Sequence, residues 1–170
     1  MRMNDPKRNK SLKVLCLVLS LCLTLFWLGF IFSNSLKSGS ESGEQSSKVH
    51  ETVNQVASSL GVKEEISEDT VRKGAHFTEF GLLGFLICLC IASVRAFRGL
   101  GDLPRLMMWS VLSIPMCALL AAVDEYLQTF SEGRTAEVAD AFLDTAGATV
   151  GTAFFLAILW FILIIRKERN

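Results

Sequence analysis

The sequence predicts an all-α fold, an integral membrane antiparallel four-helix bundle with a short extracytoplasmic amphipathic helix between the first and second crossings. Three observations predict it. The apolar residues collect into four long blocks, Val14–Phe32, Phe80–Val94, Leu106–Val123 and Thr145–Ile165. The basic residues gather in the segments that would share one side of a membrane. The acidic residues gather on the other, at the block ends. With 170 residues, a single membrane domain over 1–170 is the expectation. Formal net charge is zero, so nothing global favours nucleic acid as a partner.

A helix crossing the hydrocarbon core needs about 20 apolar residues. The first block meets that length, giving a span over about 13–32. MRMNDPKRNK before it resembles the basic start of a signal peptide. The apolar run is longer than a signal core, and no A-x-A site follows, so it reads as a retained anchor. The second block alone reaches about 22 Å, short of a core about 30 Å thick. It crosses only if Gly74–Glu79 joins it, which gives a span over about 75–97 and puts His76 and Glu79 near the membrane boundary. The third block (span 106–123) carries Pro115, which frees the Val111 carbonyl and kinks the helix there. The fourth crosses over about 144–165.

Between the first two spans, at about 33–73, SNSLKSGSESGEQSS reads as flexible linker. Val49, Val53, Val56 and Leu60 then recur at helical spacing and predict a short amphipathic helix. His50 falls on its polar flank, and KEEISED reads as a solvated acidic stretch. Cys16, Cys22, Cys88, Cys90 and Cys117 all lie inside apolar blocks. Cys88 and Cys90 point to nearly opposite helix faces, so neither a metal site nor a disulfide framework follows from them.

Lys and Arg accumulate on the cytoplasmic side of membrane helices. Arg2, Lys7, Arg8, Lys10 and Lys13 precede the first span. Arg95, Arg98 and Arg105 lie between the second and third, and Arg166, Lys167 and Arg169 follow the fourth. Only Asp5, Asp102 and Glu168 accompany them as acids. The expectation is a membrane crossed four times, with both termini cytoplasmic. Trp27, Trp109 and Trp160 fall toward block ends, as interfacial aromatics do.

This threading brings three charged stretches to one leaflet. Arg72, His76 and Glu79 are spaced i, i+4, i+7 on one helical face. Asp124 and Gln128 are i, i+4, with Glu125 beside them. Asp140, Asp144, Gly147 and Gly151 form one seam, in which Gly147-x-x-x-Gly151 permits close helix packing. Snorkelling or a structural ion network would account for Arg72 and Lys73. Acids at the edge of hydrocarbon are expensive and have partners or a task, so a polar pocket is expected.

RKGAHFTEFGLLG, DEYLQTFSEGR and ADAFLDTAGATVG resemble the VanZ-like family of small bacterial membrane proteins. FIFSNSLKSGSESGEQSS is similar to the family's segment after its first helix. The resemblance touches all four spans and covers most of residues 30–155. Carried over position by position, it implies Arg72, Lys73, His76, Glu79, Asp124, Glu125, Gln128, Arg134, Asp140 and Asp144 as the functional polar residues. Phe80 departs from the family, which often has Tyr there. The family takes its name from low-level resistance to teicoplanin, a lipid-tailed glycopeptide acting on cell-wall precursors, and implies no settled reaction.

Two chemistries fit these residues. In an enzyme, His76, Glu79, Asp124 and Glu125 would be catalytic, with His76 as general base beside a carboxylate. Arg72, Lys73 and Arg134 would neutralise a phosphate on a lipid-linked substrate, with Gln128, Asp140 and Asp144 completing the ligand site. In a binding protein the same pocket would hold a membrane lipid, a wall precursor or a lipoglycopeptide tail without chemistry. A metal version would use His76, Glu79, Glu125 and Asp144. No dense signature such as H-E-x-x-H accompanies them, so neither metal nor other cofactor is expected. No Ser or Cys nucleophile is evident. Transport is disfavoured, because almost no polar groups continue along Phe80–Val94 or Thr145–Ile165.

Overall fold

The computed structural model describes residues 6–61, 65–100 and 102–168. Arg2, Asp5, Lys63, Glu64 and Arg169, all part of the sequence reading above, lie outside the described residues. The chain forms α1 (Pro6–Ser35), α2 (Gly39–Ser59), α3 (Glu68–Phe97), α4 (Leu103–Ser110), α5 (Ser113–Gln128) and α6 (Val138–Glu168). Among the described residues there is no strand. Four stretches among the described residues are long and apolar enough to cross a membrane: Asn9–Ser35, Glu68–Phe97, Leu103–Gln128 and Val138–Ile162. The expected all-α membrane bundle is what forms.

The helix ends follow local chemistry. Ser67 caps α3 by accepting a hydrogen bond from the Thr70 N–H, with Glu68 and Asp69 in the first turn opposite the helix dipole. At its far end Gly99 takes φ +74°. The Leu100 N–H then donates to the Arg95 carbonyl (2.8 Å) and the Gly99 N–H to the Ala96 carbonyl (3.2 Å), a Schellman closure. α3 therefore includes Gly74–Glu79 and has the length the apolar block alone lacked.

Three expectations are corrected. The Ser/Gly-rich stretch is helix and not linker from Gly39 onward, because Ser38 and Glu41 form a reciprocal capping box. α2 therefore runs 21 residues, far longer than the Val49–Leu60 segment. It is also tied down: the Asn54 amide brackets Ile66, donating to its carbonyl (3.1 Å) and accepting from its N–H (2.9 Å). His50 Nε2 lies 2.7 Å from the same carbonyl, so His50 is a half-buried fastener and not a plain surface residue. The third crossing breaks at Val111–Leu112 rather than bending at Pro115. The carbonyl that Pro115 frees is recaptured in a tighter turn by the Ile114 N–H (3.1 Å), and Pro115 becomes part of the first turn of α5.

α3 and α6 make the most extensive contact in the bundle, with α1 on α3 and α5 on α6. Small residues make this possible. A Cβ on Gly147 would land on the Phe77 carbonyl, and one on Gly151 on the Gly81 carbonyl. One on Gly84 would lie 2.5 Å from the Ala148 carbonyl oxygen. In lipid, apolar burial gives little drive to helix association, so this close van der Waals fit matters more than it would in water. Ile31, Phe80, Leu83, Ile87, Cys117, Ala121 and Ala148 fill the core where α1, α3, α5 and α6 meet. Phe80 is fully buried there, which explains how the position dispenses with a hydroxyl.

Trp27 does more than mark an interface. Its Nε1–H donates to the Glu79 carbonyl of α3 (2.9 Å) and fixes α1 against the site helix.

Candidate functional site

The C-terminal ends of α1 and α5 and the N-terminal ends of α3 and α6 meet at one end of the bundle. The predicted polar residues gather there, but they divide into three layers with different work.

The innermost layer is His76, Asp124 and Asp144. Asp124 and Asp144 are fully buried, and His76 is partly buried, its side chain 17% exposed. Suitable donor atoms of the three residues lie within 4.8 Å of one another. His76 Nδ1 is 3.6 Å from Asp144 Oδ2, too long for a hydrogen bond. Among the described residues, neither Asp144 oxygen, nor His76 Nδ1, has a hydrogen-bond partner. Asp124 is held on both sides: the Ser35 hydroxyl donates to its Oδ1 (2.6 Å), and the Gln128 amide donates to its Oδ2 (3.2 Å).

The second layer braces the first. Glu125 Oε2 accepts the Glu137 N–H (2.8 Å), just before α6, while Oε1 accepts the Gln128 amide (3.1 Å). Gln128 thereby clamps two consecutive carboxylates. Arg134 donates to the Ser35 carbonyl (3.1 Å), the Asn34 carbonyl (3.4 Å) and the Ser42 hydroxyl (3.2 Å). A guanidinium on the last carbonyls of α1 is favoured by the helix dipole. Burial, with Arg72 nearby, pushes the Arg134 guanidinium below its usual pKa, from a height that leaves it charged.

The third layer is the mouth. A pocket of about 170 Å³ is lined by Asn34, Ser42, Ser46, Arg72, His76, Glu79 and Arg134, with Val49, Val71 and Ala75 as its apolar wall. A neighbouring cavity of about 390 Å³ reaches Gly39, Glu137 and Asp69 and shares Arg72 and Arg134. Glu79 Oε1 accepts from the Asn34 amide (3.3 Å). Arg72 pairs with Asp69 (3.2 Å) and stands 3.9 Å from Asp140. Lys73 turns away to Asp69 (2.9 Å) and lines neither cavity.

Of the residues expected at the site, His76, Glu79, Asp124, Glu125, Gln128, Asp144, Arg72 and Arg134 are thus brought to one end. Asp140 lines neither cavity and stands 3.9 Å from Arg72. Sequence reading missed Asn34, Ser35, Ser42 and Ser46. The S-x-x-E pattern of Ser38–Glu41 was the available signal, since it starts the helix that carries Ser42 and Ser46 to the mouth. Asn34 and Ser35 are ordinary polar residues at a helix end, and nothing local sets them apart.

A family model described as VanZ/LLP1 matches residues 20–165, a range that includes all three layers. No curated protein and no solved structure matches the chain.

Proposed function

The chain belongs to the VanZ/LLP1 family, and on that basis we propose that its polar end faces outward from a bacterial membrane and binds the phosphate of a lipid-linked envelope component. One observation carries this reading: Arg72 and Arg134 line one pocket together with His76 and Glu79. Planar guanidinium groups recognise phosphate through paired, charge-assisted hydrogen bonds. The apolar wall from Val49, Val71 and Ala75 gives the first carbons of a lipid tail a surface to follow. A pocket at a helix end near the membrane boundary suits a head group that never leaves the bilayer. Outward orientation is supported by the basic residues at the opposite end. Protection against a lipid-tailed glycopeptide of the teicoplanin kind would follow from altered access to wall precursors at that face.

The test uses a polyprenyl phosphate in phosphatidylcholine nanodiscs, with binding to the purified chain read by native mass spectrometry. Arg72→Gln should weaken binding about tenfold, the loss of one charge-assisted contact. His50→Ala, which lies on α2 outside the pocket, should leave it unchanged. In cells, His76→Ala and Glu79→Gln should remove teicoplanin protection at wild-type protein levels. Equal binding by wild type and Arg72→Gln, or no preference over the uncharged polyprenol, would sink the reading.

A further inference from the structure

We propose that His76, Asp124 and Asp144 form a binding site for one divalent transition-metal cation, buried beneath the pocket floor. The triad comes from three helices, α3, α5 and α6, and its ligand atoms converge within 4.8 Å. Two ligands on one ion, with bonds of about 2.1 Å, cannot be farther apart than about 4.2 Å, and at near-tetrahedral angles stand about 3.4–3.6 Å apart. The 3.6 Å between His76 Nδ1 and Asp144 Oδ2 is therefore too long for a hydrogen bond and right for a shared ion. The remaining separations lie within 4.8 Å, so the triad would have to close by at most about 1.2 Å to reach that spacing.

A second, independent observation points to a ligand. Asp144 is fully buried, and among the described residues neither of its oxygens has a hydrogen-bond partner. A buried carboxylate without a hydrogen-bond donor is disfavoured even with an imidazole 3.6 Å away, and a second carboxylate beside it adds to the cost. The two guanidinium groups of the pocket do not relieve this: Arg72 pairs with Asp69 and Asp140, and Arg134 donates to Asn34, Ser35 and Ser42. A doubly charged cation would neutralise both carboxylates at once.

The surrounding groups resemble the outer support of a metal site. Ser35 and Gln128 each donate to a different oxygen of Asp124, fixing its orientation while leaving lone pairs for a cation. One imidazole and two carboxylates favour Zn²⁺ or Mn²⁺ over Ca²⁺ or Mg²⁺, which prefer oxygen alone. His76 also lines the pocket, so the cation would place positive charge under a bound phosphate. That last link rests on the ligand reading above; the metal site itself does not.

The experiment uses the purified full-length chain in detergent, stripped with chelator, desalted, then exposed to Zn²⁺ or Mn²⁺ alone. Elemental analysis after a second desalting should find about one ion per chain. Asp144→Asn and His76→Ala should lose it, and His50→Ala should keep it. Ser35→Ala, which removes only a support of Asp124, should weaken affinity about 10–100-fold. In case the buried variants fail to fold, X-ray absorption of the Zn²⁺-loaded wild type should show one imidazole and oxygen neighbours without sulfur. The inference is overturned if wild type takes up no stoichiometric ion, if Asp144→Asn and His76→Ala keep it, or if sulfur ligates it. Ion uptake without polyprenyl phosphate binding would remove the lipid ligand and leave the metal site; the opposite result would remove only the metal.

Discussion

Asp124 and Glu125 are neighbours of similar chemistry, yet the helix turns them about 100° apart and gives them unrelated tasks. Asp124 points into the bundle, toward Ser35 and the ligand atoms of His76 and Asp144. Glu125 points toward the turn before α6 and holds the Glu137 N–H. We therefore expect Glu125 to act as a brace. Glu125→Ala would remove the charged acceptor of a part-buried N–H and one side of the Gln128 clamp, costing about 1–3 kcal/mol. Thermal unfolding followed by size exclusion in detergent should move down by several degrees. Lys73→Ala, which removes only a surface pair with Asp69, should leave that transition where it was. A null effect of Glu125→Ala would return Glu125 to the list of groups that meet the ligand.

At the scale of elements, the contact between α3 and α6 decides whether the triad can assemble. His76 and Asp144 approach because Gly147 lies against the Phe77 backbone and Gly151 against the Gly81 backbone, with no side chain between. Gly151→Ala must push the helices apart, since the atom it meets is backbone and cannot swing aside. We expect it to lower the unfolding temperature more than Glu125→Ala does and to abolish ion uptake without touching a ligand. Gly74→Ala is the matched contrast. Nothing lies within 4 Å of a Cβ there, and its helical backbone should gain roughly 0.5–1 kcal/mol. If both alanines behave alike, the close approach of α3 and α6 is not what holds the site together.

Across the whole molecule, charge and polarity are separated by the length of the bundle. The buried acids sit at one end, while Arg95, Arg98 and Arg105 stand near the opposite turn between α3 and α4. This asymmetry predicts one orientation in the membrane. On a background without the native cysteines, Ser40→Cys should react with an impermeant maleimide applied to intact cells. Arg98→Cys should react only after permeabilisation. The reverse pattern would place the pocket in the cytoplasm and end its role toward envelope lipids.

The four crossings, the polar stretches at their ends and the glycine seam were all legible in the sequence. They depend on local rules: the length of an apolar run, the charges flanking it, and residues three or four apart sharing a face. The same rules carried the start of α2, through Ser38 and Glu41, although the serine- and glycine-rich composition obscured it. Other features depended on residues distant in the chain, and only the tertiary structure decided them. Sequence spacing placed His76, Glu79, Asp124, Glu125 and Asp144 at one level but could not sort them. Packing chose His76, Asp124 and Asp144 for the interior, turned Glu125 to the backbone of the next segment, and fastened Arg134 to the end of α1. The physical reason is that a helix sets only the direction in which each side chain leaves it. How far the neighbouring helix stands, which here depends on glycines meeting bare backbone, determines which of those side chains meet.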